Sequence, residues 1–145
     1  MNTNKYFKLW LPITGIHALH QIEESISFFP WYADNMNHIP HWLLISSHIA
    51  KIAIAQPEIF ILASFTQLSC VALTAFLFRH HEQATKYLLL FYILGLAFFF
   101  IWHILTSYFA HSYAPIMVTC FMGLYLIPFW LAKINKLNKA TTTSD

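Results

Sequence analysis

Apolar runs as long as a bilayer is thick constrain this chain more than any other feature. Residues 59–78, 87–109 and 116–132 are almost free of charge, and a transmembrane helix needs about 20 such residues. A fourth run, residues 6–29, has the length but carries two histidines and two carboxylates near its middle. Charged residues make up 10% of the 145-residue chain, against about 25% in soluble domains. The composition excludes an ordinary soluble globular protein. A net charge of +2 is too small to suggest a nucleic-acid partner, and with three glycines and no low-complexity run the chain does not read as disordered.

These runs predict an all-α integral membrane protein, a four-helix bundle with a short amphipathic helix lying along the interface between the first and second spans. Residues 30–40, with Asp34, Asn35, Asn37 and His38 beside Trp31 and Tyr32, read as a loop whose aromatic rings sit at headgroup level. The interfacial helix covers residues 41–55, with His41, Ser47, His48 and Lys51 on its polar side. Residues 79–86 form a short polar turn between the second and third spans, and Pro115 suits the first turn of the fourth. Residues 1–139 make one transmembrane domain, and residues 140–145 a polar C-terminal tail.

Basic residues orient the bundle. Lys5, Lys8, Arg79, Lys86, Lys133, Lys136 and Lys139 fall on one side of a four-span arrangement, and only Lys51 falls on the other. Cytoplasmic loops carry the excess of Lys and Arg, so both termini are expected in the cytoplasm of a multi-pass protein of the cell (inner) membrane. Lys5 and Lys8 before an apolar stretch give the N-terminus some likeness to a signal peptide. His17, His20, Glu23 and Glu24 interrupt its apolar core, so a retained helix is the better reading. Cys70 and Cys120 lie in apolar segments, where a reduced thiol packs as a small hydrophobe, and no disulfide framework is indicated.

Ionisable groups inside a span cost roughly 2.5–3.5 kcal/mol each and are seldom left without a partner or a task. At 100° per residue, His17, His20, Glu24 and Ser27 share one side of the first helix with Glu23 at its edge, and Leu11, Ala18, Leu19, Ile22 and Ile26 lie opposite. With a rise of about 1.5 Å per residue, His20 lies ~18 Å, Glu24 ~24 Å, His103 ~24 Å and Gln67 ~18 Å from the cytoplasmic side. Three spans thus offer polar groups at similar depth. Tyr113 and Thr119 are placed to roof the same level.

The segment His20-Gln21-Ile22-Glu23-Glu24 resembles the defining motif of the HXXEE family, small integral membrane proteins of uncharacterised function. That family's pattern continues with a histidine followed, after nine residues, by Tyr-x-Pro-Gly, which His103 and Tyr113-Ala114-Pro115 match in spacing. Ile116 stands in place of the glycine, and Phe99 in place of an asparagine four residues before the histidine.

Two chemistries suit the cluster. In one, His20, Glu24 and His103 bind a divalent metal such as zinc, with Glu23 as a fourth ligand or as the base that activates water or substrate. In the other, a desolvated carboxylate beside an imidazole moves protons on a lipophilic, lipid- or isoprenoid-like substrate without a metal. Both predict a membrane-embedded enzyme with His20, Glu23, Glu24 and His103 catalytic, Gln67, Tyr113 and Phe99 contacting substrate, and His17 supporting from behind. A carrier or sensor binding a proton, a metal ion or a lipophilic ligand at the same place is the non-enzymatic alternative. A polar network that only fixes helix packing is the plainest reading.

Overall fold

The computed structural model describes residues 4–44 and 47–142, with the side chains of 47–50 and 140–142 excepted, and every regular element in them is helical. A 3₁₀ turn, Phe7–Leu9, leads into α1 (Trp10–Glu23), a π-helical turn (Glu24–Phe28) and α2 (Phe29–Asn35). Short 3₁₀ turns at Met36–His38 and His41–Leu43 precede α3 (Ser47–Ala55), and then come α4 (Pro57–Leu77), α5 (Glu82–Phe109) and α6 (Met117–Thr142). Of these, α4, α5 and α6 are long and apolar enough to cross a membrane. The expected first span is helical but is divided by the π turn, and it is not among the three.

The loop expected from residue 30 is instead helix as far as Asn35. Proline inside a helix lacks one hydrogen bond and its ring clashes with the carbonyl four residues back. The wider π turn ends two residues before Pro30, where that room is needed. Ser25 and Ser27 donate their hydroxyls to the carbonyls of Ile22 (2.8 Å) and Glu23 (3.1 Å), satisfying groups beside the altered register. Tyr32 is accordingly not a surface ring, and Trp31 is half-buried. Tyr32 is buried, and Trp31 donates its indole N–H to Ser112 Oγ at 3.0 Å.

Other boundaries also move. The interfacial segment is a 3₁₀ turn followed by the shorter α3, and the polar side assigned to it through Ser47 and His48 lies outside the described side chains. Helix α5 starts five residues before the expected third span, with His81 at its N-cap and Glu82 in its first turn. Helix α6 runs through Pro128 and the lysines to Thr142, so the segment read as a polar tail is in part helical.

Asn4 fixes where the first helix begins. Its side-chain Oδ1 accepts from the backbone N–H groups of Tyr6 and Phe7, both at 3.0 Å, while its Nδ2 donates to Thr85 Oγ1 (2.8 Å) and Arg79 O (2.9 Å). The N-terminus is thereby tied to the α4–α5 turn. Helices α5 and α6 pack most extensively on each other, α1 lies against both of them and against α4, and α4 is mostly exposed. Leu11, Leu19, Ile22 and Ile26 of the first helical segment face outward, and Ile13, His17, His20, Glu24 and Phe28 face the core.

Candidate functional site

The inward face of α1 and its π turn meets α5 and α6 at His20. That imidazole, 2% exposed, lies 4.8 Å from the His103 ring and 5.1 Å from the Phe100 ring, centroid to centroid. His103, 1% exposed, also has Phe28 and Trp102 edge-on at 4.7 Å each. Phe100 reaches this position because α6 carries Gly123 opposite. A Cβ there would stand 2.2 Å from Phe100 Cε2.

One side of His20 is closed by hydrogen bonds. Thr119 Oγ1 is 2.6 Å from Glu23 Oε2 and 3.2 Å from Ile116 O, and its single proton goes to the nearer acceptor, the Glu23 oxygen. The same oxygen lies 2.9 Å from His20 Nδ1. With its proton committed, Thr119 accepts there, so His20 carries its proton on Nδ1 and presents the Nε2 lone pair. Glu23 therefore acts on His20 through Thr119. It does not line the cavity described next.

The other side is open. His20, Glu24 and His103 line a cavity of about 200 Å³ together with His17, Gln21, Ser64, Gln67 and the apolar Phe60, Leu96 and Phe99. His20 Nε2 and both ring nitrogens of His103 are buried with no hydrogen-bond partner among the described residues. Glu24 Oε1 stands 3.6 Å from His103 Nε2, too far for a hydrogen bond. An unpartnered buried polar atom costs about 1–3 kcal/mol, so a bare set of this kind is expensive unless a ligand completes it. A third donor lies beside the histidines. Donor atoms of His20, His103 and Cys120 all fall within 4.8 Å of one another, and this buried group could hold a metal ion.

His17 belongs to a separate chain of bonds at the cavity edge. Gln21 Nε2 donates to His17 Nε2 (3.3 Å) and Ser64 donates to Gln21 Oε1 (2.6 Å), which leaves the proton of His17 on Nδ1 to be donated to Tyr92 Oη at 2.7 Å. Thus His17, His20, Glu24, Gln67, Phe99 and His103 come together around one space. Tyr113 does not. It is 67% exposed on the α5–α6 turn, where His111 takes a left-handed φ of 51° and Ser107 Oγ holds the turn by donating to Ser112 O (2.7 Å) and accepting from Ala114 N–H (3.0 Å). That geometry buries Ala114 and Ile116 and turns Tyr113 out. Thr119, placed at this level by depth along its helix, reaches His20, while Cys120 is the addition from α6, and a cysteine in an apolar run carries no mark distinguishing it from packing.

A family described as "protein of unknown function with HXXEE motif" matches residues 11–131. The chain belongs to the HXXEE family. Neither the curated proteins nor the solved structures contain a match to it. In this member the HXXEE histidine is the centre of the site, and its two glutamates are divided. Glu23 is bonded to Thr119 on the α6 side, and Glu24 faces the cavity.

Proposed function

We propose that the chain is a membrane-embedded enzyme acting on a lipophilic, lipid- or isoprenoid-like substrate in the His20–Glu24–His103 cavity. In this reading the first helical segment is inserted with α4, α5 and α6 as a fourth span, and the termini are cytoplasmic in the cell (inner) membrane. The observation that carries it is that three unpartnered ring nitrogens and one carboxylate meet at a cavity whose remaining wall is largely apolar. Purely structural polar groups would instead be bonded to one another.

The donor set fits a divalent metal held by His20, His103 and Cys120. Two imidazoles and a thiolate suit zinc better than magnesium or calcium, which take oxygen ligands. When bound, such an ion polarises a substrate oxygen. Cys120 does not reach the cavity wall, so His20 and His103 are the ligands that face substrate. With Cys120 as the third donor, Glu24, the one carboxylate lining the cavity, is left to act as the proton-transfer group. Gln21, Ser64 and Gln67 supply hydrogen bonds that orient the substrate's polar group, and Phe60, Leu96 and Phe99 exclude water.

Metal analysis of purified protein, combined with mass spectrometry of co-purifying lipids and a turnover assay on them, tests this reading. About one equivalent of metal is expected, lost in His20→Ala and in Cys120→Ser. Turnover that survives chelation but disappears in Glu24→Gln would remove the metal and keep proton chemistry. Ion or proton flux in liposomes with no turnover would replace catalysis by a carrier.

A further inference from the structure

A second cavity, of about 330 Å³, adjoins the first and shares His17, Gln67, Leu96 and Phe99 with it. Beyond those residues it is an apolar groove between α4 and α5, with Val71 and Thr74 on one wall, Leu88 and Phe91 on the other, and Trp10 at its end. From Leu88 to Phe99 the α5 wall measures about 16 Å along the helix axis. All of these groove-end residues lie toward the α4–α5 turn, the side that carries the chain's N-terminus. The groove is open at its middle beside Gly95, where a Cβ would meet nothing within 4 Å. Neither cavity is lined by a lysine or arginine, and Glu24 is a carboxylate in the first. In the proposed site the two charges of a divalent ion are already matched by the Cys120 thiolate and the Glu24 carboxylate, so a phosphate or carboxylate head would leave the cavity net negative with no side-chain cation to balance it.

We infer that the substrate is a single-chain lipid whose head is an uncharged oxygen function, an alcohol, aldehyde or ester. The head sits in the cavity against Glu24 and His103, and the tail runs down the α4–α5 groove past Gly95 toward Trp10. This rests on reading the Glu24 cavity as the reacting site, and it names what that site takes. Since the tail points toward the cytoplasmic end of the helices, the molecule sits as a lipid of the opposite, outer leaflet does. Gly95 is then the position that sets how thick a tail is admitted.

The test is photolabelling of the full chain in phosphatidylcholine nanodiscs with a hexadecanol carrying a diazirine midway along its tail, the adducts being mapped by mass spectrometry. Adducts are expected on groove residues such as Val71, Leu88 and Phe91, competed by hexadecanol and not by hexadecyl phosphate. In Gly95→Phe these adducts fall about tenfold, because the ring fills the tail's path, while Gly95→Ala keeps them. Equal competition by both head types, or adducts spread over outward residues such as Ile61, Phe65 and Leu94 and unchanged in Gly95→Phe, would overturn the inference as annular lipid only. If Gly95→Phe does not fold, the head-group competition on the unmodified chain decides alone. Groove adducts without turnover of any such lipid would retire catalysis and keep the groove, whereas turnover without groove adducts would retire the groove and keep catalysis.

Discussion

The α6 side of His20 and its cavity side differ as a scaffold differs from a working surface. On the α6 side, Glu23, Thr119 and His20 Nδ1 form a closed relay in which each proton has an acceptor. On the cavity side, His20 Nε2 and the His103 ring nitrogens have no hydrogen-bond partner among the described residues, and Glu24 Oε1 stands 3.6 Å from His103 Nε2, beyond hydrogen-bond distance. Two adjacent glutamates fall into these different settings because neighbouring residues on a helix point about 100° apart. A run of like residues in a motif therefore need not share one job. Here one carboxylate orients the imidazole and its neighbour meets whatever enters.

The sharpest way to break this comparison is to neutralise each glutamate in turn. Glu24→Gln should lower turnover by about 10²–10⁴-fold while metal content and folding persist, the range typical of a lost proton-transfer group. Glu23→Gln should leave far more activity, and an equal loss in the two variants, measured in parallel, would abolish the division of roles. Next in size is Thr119→Val, which keeps the side-chain shape but deletes both hydrogen bonds. Loss of a bond that orients a ligating histidine costs about 10–100-fold in metal affinity, and chelator competition would read it. Unchanged affinity would mean that His20 needs no orienting.

Gly123→Ala probes the same closed side by packing. The added methyl meets the buried Phe100 ring, which leans on His20, and overpacking of this kind costs about 1–3 kcal/mol in unfolding measurements. The smallest effect belongs to Gly15→Ala, where nothing lies within 4 Å. Metal retention and turnover should both match the unmodified chain, and a change in either would show that α1 couples to the site from a face that touches neither region.

Much of the architecture is local and so could be read from the chain itself. Helicity, the three long apolar helices and the inward arc of His17, His20 and Glu24 follow from composition and from a period of 3.6, properties that each segment carries alone. The outward turn of Leu11, Leu19, Ile22 and Ile26 follows in the same way. Membership of the HXXEE family was legible too, because its motif is contiguous.

Tertiary structure alone decided which helices meet. Depth along the helix put Thr119 near the site and gave Cys120 only a packing role, and the approach of α6 to α1 is what makes both partners of His20. Helix rather than loop beyond Pro30 depends on a π turn, a change of register that no periodic pattern announces. Tyr113 matches the family spacing yet faces outward, because a left-handed His111 and the Ser107 bonds set the turn's direction. Sequence period specifies the face a residue occupies on its own helix. What lies opposite that face is set by packing between segments far apart in the chain.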